Sequence, residues 1–266
     1  MLDLNDLENK TIYIIREAFA EFKKPAVLWS TGKDSTTMLW LCRKAFLGKI
    51  PFPVIHIDTG YKFKQMYGFR DKLAAEWGLD LRVASNKEAM ADGVNPKSGN
   101  LECCTRLKTK ALKDCVEENG FDALILAIRR DEHGIRAKER YFSPRNEDFS
   151  WDYKDQPLEM WDQFQGLVSA GTHMRIHPIL HWRELDMWEY TRREGIPINQ
   201  MYYAKDGKRY RSLGCEPCTM TVDSNASTMD EIIEELKETK IAERSGRAQD
   251  KEKAYTMQKL RALGYM

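Results

Sequence analysis

Residues 30–35 read Ser-Thr-Gly-Lys-Asp-Ser: three hydroxyls, a glycine, an ammonium and a carboxylate in six consecutive positions. A short apolar run precedes them and a helical pattern follows. In an open α/β sheet that junction is where a phosphate is held. Backbone N–H groups converge at the helix N-terminus, the glycine lets the backbone approach, and Lys33 adds positive charge. The spacing is not the G-x-x-x-x-G-K-[ST] of the common nucleoside triphosphatases. Taken alone, Ser30, Thr31, Gly32, Lys33, Asp34 and Ser35 read equally as a plain strand-to-helix turn.

Two further stretches carry the same chemistry. His-Ile-Asp-Thr-Gly at 56–60 puts Asp58, Thr59 and Gly60 at the carboxyl end of a second apolar run, where ligands bind in such sheets. Arg129 and Arg130 follow a later run. Two guanidiniums there suit a polyanion, and suit a salt-bridged surface loop as well. The cysteines form a separate group. Six in 266 residues are too few for a disulfide scaffold. Cys103 and Cys104 are adjacent, and Cys215 and Cys218 are spaced C-x-x-C, which reads as metal or redox chemistry. Cys115 shares a helical face with Cys104, Leu107 and Ala111, and Cys42 lies in an apolar helical stretch, so both read as core.

The elements that must position these residues follow from periodicity. Residues 5–23 repeat apolar side chains at helical spacing. The runs at 26–29, 53–58, 79–85 and 122–128 read as buried parallel strands. Helical patterns follow the first three, those after the second and third ending at Gly78 and Gly120. This alternation predicts an α/β fold, a doubly wound parallel sheet with helices on both faces. Residues 141–175 lack periodicity and read as a long ordered loop; 174–180 read as a last strand and 183–195 as a helix. His173, His177 and His181 recur every four residues, but Pro178 and the strand pattern argue against a helical zinc face. The composition shifts near residue 198, which predicts a nucleotide-binding domain over 1–197. A less regular extension over 198–266 carries the C-x-x-C, a charged helix at 229–239 and a charged tail.

The totals exclude several classes. With 42 basic and 41 acidic residues the net charge is +1, so no global nucleic-acid footprint exists, although a local patch at Lys205, Lys208, Arg209 and Arg211 remains open. The N-terminal stretch lacks the basic start and apolar core of a signal peptide. No apolar run approaches the ~20 residues of a membrane span. The expectation is a cytoplasmic protein without membrane contact.

Four blocks, STGKDS, PFPVIHIDTGYKFKQMYGFRD, AIRRDEHGIRAKER and SNAST…EIIEELKETKIAERSGRAQDKE, resemble the small catalytic subunit of the heterodimeric bacterial sulfate adenylyltransferases. The resemblance covers most of the chain. It implies an adenine-nucleotide α-hydrolase-like fold and cleavage of ATP between its α- and β-phosphates, giving adenylyl sulfate and pyrophosphate from ATP and sulfate. It implies that Ser30 to Ser35 hold the pyrophosphate portion, that Asp58, Thr59 and Gly60 lie at the nucleotide, and that Arg129 and Arg130 contact anions. Catalysis of this kind needs positioning and cations, not a covalent nucleophile. Lys33, Asp34, Arg129 and Arg130 are the expected catalytic residues, with Mg²⁺ held near Asp34 or Asp58. A GTPase large subunit is the implied partner, since the chain has no GTPase signature. The tail with Arg244 and Arg247 is expected to fold over the site or toward that partner.

The cysteines depart from that family. LECCTRLKTKAL together with LGCEPCT resembles adenylyl-sulfate reductases that bind a four-iron, four-sulfur cluster, which makes Cys103, Cys104, Cys215 and Cys218 expected ligands of a 4Fe-4S cluster, with zinc as the alternative. The reductase activity itself lacks its nucleophile, because no cysteine follows Cys218. Relatives that insert sulfur into nucleic acid, as in tRNA thiolation or DNA phosphorothioation, combine both features, and imply a cysteine desulfurase and nucleic acid as alternative partners.

Overall fold

Four short apolar runs form the parallel heart of the sheet. They are β1 (Pro25–Leu28), β2 (Val54–Ile57), β3 (Leu81–Ala84) and β4 (Ala123–Ile125). The computed structural model describes residues 3–166, 171–239, 243, 259–260 and 262–264. β1 pairs in parallel with β2 (Val27 opposite Val54) and with β4 (Val27 opposite Ile125). Every residue of β1, β2 and β4 is buried, as strands covered on both faces must be. Each fully buried aliphatic side chain in them contributes roughly 1.5–3 kcal/mol. β3 is half-exposed because it lies at one edge.

The six-stranded order is β3-β2-β1-β4-β6-β5, with β6 at His173–Ile176 and β5 at Phe142–Arg145. β5 alone runs antiparallel, Phe142 opposite Ile176. The region from 141 onward therefore contains an edge strand where the sequence predicted only loop. Pro144 obscures it: proline cannot donate to a ladder, and a sheet tolerates it at an edge.

Helices α2 (Lys33–Ala45), α3 (Lys64–Trp77) and α6 (Lys110–Asn119) are crossovers, and α1 (Leu4–Glu21) precedes the sheet. The short helices α4 (Lys87–Ala91) and α5 (Asn100–Cys104) follow β3. α5 runs into a π-helical stretch at Thr105–Thr109 before α6 begins. α7 (Glu184–Glu194) ends at Gly195, which takes φ +62°. Beyond it, Ile198, Tyr202, Leu213, Ile232 and Ile233 form one cluster with Phe63, Met66 and Trp188. That cluster docks the later segment, including α8 (Met229–Glu238), against α3 and α7. A two-stranded ribbon, β7 (Lys208–Arg209) with β8 (Val222–Asp223), flanks the C-x-x-C. Among the described residues, no helix is long and apolar enough to cross a membrane.

The strand order fixes where a ligand binds. From β1 the chain proceeds to β2 on one side, while β4 lies on the other. Ligands of open α/β sheets occupy the crevice at the carboxyl ends of the strands flanking such a reversal. Ser30–Ser35 leave β1 there, and Arg129 follows β4.

Candidate active site

The loop after β1 is held by its own side chains. Thr31 adopts φ +62° and is buried, a left-handed backbone that costs a β-branched residue strain. Its hydroxyl donates to the Ser30 carbonyl at 2.6 Å. The Ser35 hydroxyl donates to the Gly32 carbonyl at 3.1 Å and lies 3.0 Å from the Ser30 hydroxyl. α2 then begins at Lys33, whose backbone N–H donates to the Tyr202 hydroxyl at 2.9 Å. A Cβ on Gly32 would stand 3.3 Å from that hydroxyl. Glycine is thus favoured here by the close approach of Tyr202, whereas the sequence pattern predicts that it admits a phosphate.

The charged groups form one network at the start of α2. The Lys33 ammonium pairs with Glu243 and, at 3.3 Å, with Asp34. Arg129 pairs with Glu243, with Asp34 at 3.0 Å and with Asp131 at 3.1 Å. Lys33, Arg129 and Glu243 are all buried. Burial works to discharge Lys33, but Asp34 and Glu243 outweigh it and hold the ammonium charged. Burial likewise opposes ionisation of Glu243, and Arg129 and Lys33 reverse that, keeping its carboxyl far below the usual carboxylate range. Glu184, first residue of α7, is raised by burial and by repulsion from Glu243. Arg211 neutralises Glu184 through its Nε (3.1 Å) and Nη2 (2.6 Å).

A pocket opens beside this network. Ser30, Gly32, Lys33, Asp34, Ser35 and Glu243 line it, against apolar walls from Leu28, Ile55 and Leu126. Apolar walls with a few convergent charges are what a nucleotide base and its phosphates require together. Lys62, Lys108 and Arg136 also face the pocket.

Not every expected residue converges. Arg129 joins Lys33, but the guanidinium of Arg130 stacks 5.3 Å from the Tyr141 ring centroid. The backbone is extended at Arg129 (φ −125°, ψ 151°) and turns into a 3-10 helix at Arg130–Glu132, so the two side chains leave the chain in different directions. Asp58 is engaged locally, accepting from the Gly60 N–H and the Tyr67 hydroxyl, both at 2.8 Å. Gly60 takes φ +73° in the same turn. Thr59 turns away, its hydroxyl 3.2 Å from the Cys215 sulfur. The basic stretch near 205–211 is not a free patch either. Arg209 is buried and pairs with Glu235 at 2.6 Å, and Arg211 is committed to Glu184. Arg244 and Arg247 lie outside the described residues.

The two cysteine segments do meet. Lys62 and Cys215 form an isolated β-bridge, and the Glu216 N–H donates to the Tyr61 carbonyl at 2.7 Å. Cys218 lies 3.6 Å from the Asn100 side-chain oxygen at the start of α5. The Cys103 thiol is pushed up to about 12 by burial, with Cys104, Cys215 and Cys218 each adding to the effect. All four are buried and free of disulfides. Among the described residues, no group of three or more His, Cys, Asp or Glu side chains is drawn close enough to hold a metal ion. Cys42 and Cys115 sit in the apolar core as expected.

Three site residues escaped sequence reasoning. Tyr202 lies 169 positions from Lys33 in a short turn. Glu184 looks like an ordinary first-turn acid of α7. Glu243 lies within the charged tail expected from the resemblance to fold over the site or toward the partner, but that expectation rested on Arg244 and Arg247.

Comparisons with known proteins agree with this architecture. The family model described as the phosphoadenosine phosphosulfate reductase domain matches residues 24–221. Sulfate adenylyltransferase subunit 2 of Pseudomonas aeruginosa is 41% identical, over 98% of this chain and 97% of its own. The protein of the same name from Pseudomonas putida matches with the same figures. Among solved structures, the phosphoadenylyl-sulfate reductase of Candida auris superposes with a TM-score of 0.58 at 17% identity, covering 83% of this chain and 98% of that one. The FMN adenylyltransferase of Candida glabrata in complex with ATP gives 0.57 at 17% identity, over 82% of this chain and 63% of that one. These two share the fold. The phosphate-loop geometry, the parallel sheet and the near full-length identity lead to one assignment: the chain belongs to the sulfate adenylyltransferase subunit 2 family, among proteins that carry the phosphoadenosine phosphosulfate reductase domain.

Proposed function

We propose that this chain is an ATP-dependent adenylyltransferase that joins the adenylyl group of ATP to sulfate, releasing pyrophosphate. The observation that carries the reading is the pair of buried cations, Lys33 and Arg129, at the start of α2 where the strand order reverses. A sulfate oxygen attacks the α-phosphorus, and the bond to the β-phosphate oxygen breaks with its electrons going to pyrophosphate. Lys33 and Arg129 stabilise the charge that gathers on the leaving pyrophosphate. The Ser30–Ser35 loop orients it, and the apolar walls of Leu28, Ile55 and Leu126 take the adenine. Asp58, Thr59 and Gly60 shape the turn that closes the nucleotide side. Arg130 stays with Tyr141. Asp34 offers the hard carboxylate oxygens that Mg²⁺ prefers, and Mg²⁺ when bound supplies charge neutralisation on the phosphates. The domain over 1–197 carries this chemistry and the extension over 198–266 completes the pocket. A GTPase subunit is the proposed partner, because forming adenylyl sulfate is uphill and the chain has no GTPase signature.

The four cysteines support a second component. Cys103, Cys104, Cys215 and Cys218 match a four-thiolate centre in number and softness, and they approach one another beside the nucleotide pocket. We propose that they hold a 4Fe-4S cluster, with zinc as the alternative, once drawn closer together than the described side chains stand. A cluster would supply electron-transfer or sulfur chemistry, which keeps sulfur insertion into nucleic acid, with a cysteine desulfurase, as the second reading. That reading is weakened by the burial of Arg209 and Arg211.

One experiment separates the readings. Protein purified anaerobically, with and without its partner GTPase, is assayed for pyrophosphate release and analysed for iron, sulfide and zinc, alongside Cys215→Ala. Sulfate-dependent release supports adenylyl transfer, whereas sulfate-independent ATP turnover with an iron-loaded centre would support the second reading. Metal-free protein with full activity removes the cluster.

A further inference from the structure

Glu243 stands apart from the other acids of the site. Its two carboxylate oxygens are divided between the two cations, one on Lys33 and one on Arg129. That is how a phosphate group bridges a lysine and an arginine. It reaches Lys33 from 210 residues away, so no local turn dictates the contact. The side chain is buried and lines the pocket itself.

Glu243 is also the third carboxylate paired with only two cations. Lys33 and Arg129 already share Asp34, and Arg129 also holds Asp131. With Glu243 the two cations meet three carboxylates, and a fourth, Glu184, repels Glu243 while being held by its own partner Arg211. A polyphosphate added to this arrangement would place several negative charges against a buried carboxylate. Like charges in a buried site repel strongly, so the two anions compete for the cations.

We propose that Glu243 and a phosphate group of the nucleotide compete for the same two cations, so that binding and pyrophosphate release are exchanges of one anion for another. The inference rests on the reading of Lys33 and Arg129 as phosphate-binding cations. Glu243 keeps the two cations paired while the site holds no nucleotide. It competes with every anion that enters, and it displaces pyrophosphate after the chemical step.

Binding of inorganic pyrophosphate, measured by calorimetric titration of the full chain, tests this in wild type, Glu243→Gln, Glu243→Ala and Lys33→Ala. The glutamine variant keeps the size of the side chain and so guards against a folding defect. Removing an internal competitor bound through two charged hydrogen bonds predicts pyrophosphate affinity raised about ten- to a hundredfold in both Glu243 variants. Lys33→Ala is expected to weaken binding. Unchanged or weaker binding in both Glu243 variants, with Lys33→Ala also weakened, would overturn the exchange and make Glu243 a positioning residue. Wild-type affinity in Lys33→Ala would instead remove the phosphate-loop reading beneath it.

Discussion

The guanidinium of Arg129 is buried with three carboxylates, Asp34, Asp131 and Glu243, at ion-pair distance, whereas its neighbour Arg130 lies over the ring of Tyr141. On the proposed reading, the first stands at the phosphate loop and the second is held away from it on Tyr141. Loss of one preorganised charge of this kind typically lowers kcat by about a hundred- to a thousandfold. Arg129→Ala is therefore expected to reduce pyrophosphate release by that order. Arg129→Lys recovers part of it, since the charge returns without the two-pronged geometry. Arg130→Ala removes a cation–π contact worth roughly 0.5–1 kcal/mol and is expected to lower stability with little effect on kcat. Steady-state kinetics and urea unfolding of the three variants check both halves; equal losses of kcat at the two positions would refute the distinction. From the sequence the two arginines were indistinguishable, because nothing in Ile-Arg-Arg-Asp says that the chain turns into a 3-10 helix at Arg130 and parts the two side chains.

At the scale of elements, α8 shows how much of a helix is written locally. Thr228 accepts from the Glu231 N–H at 3.2 Å, and the Glu231 carboxylate returns to the Thr228 N–H at 3.1 Å. This capping box fixes the helix start, while Ile232 and Ile233 bury its apolar face beside Trp188. Thr228→Ala is expected to destabilise the protein by about 1 kcal/mol, read as a lower urea midpoint with an unchanged slope. An unshifted midpoint would show that tertiary packing alone holds the helix. The elements readable beforehand were of this sort, short apolar runs or periodic stretches with their own punctuation. β5 was not readable, because Phe-Ser-Pro-Arg becomes a strand only by pairing with β6. The π-helical stretch at Thr105–Thr109 gave no signal either, since it continues the helical periodicity on both sides.

Across the whole molecule the same division separates the two halves of the site. The half contributed by consecutive residues, Ser30 to Ser35, was visible in the sequence as a candidate, open between a phosphate loop and a plain turn. The half contributed by Tyr202, Glu184, Arg211 and Glu243 comes from segments brought together only by the fold. Burial on that scale also sets the response to acid. His56 on β2 is buried, donates from Nδ1 to the Trp29 carbonyl at 2.9 Å, and is lowered to about 4 by burial and the nearby Lys62. His181 is lowered to about 4 by burial and by Lys10 and Arg130, and its ring packs on Tyr141. Both folded values lie below the unfolded value near 6.5. The unfolded chain therefore binds more protons between these limits, and stability rises with pH across that window. The contribution is complete above about pH 6.5 and is lost as pH falls toward 4. For His56 the shift corresponds to about 3 kcal/mol, a large share of the roughly 5–15 kcal/mol that holds a typical domain together. The urea midpoint is expected to be level above about pH 7 and to fall steeply from there to pH 4.5. Below that range Glu243 adds a separate loss, because its depressed carboxyl must then be protonated. His181→Phe removes one of these groups (His173, lowered further by burial and Arg175, is a third) while keeping an aromatic ring against Tyr141, and among the described residues neither ring nitrogen of His181 has a hydrogen-bond partner to lose. It is expected to flatten the profile between pH 6.5 and 4.5 without lowering the plateau. A wild-type midpoint that stays constant across that interval would mean that these histidines are hydrated in the folded protein.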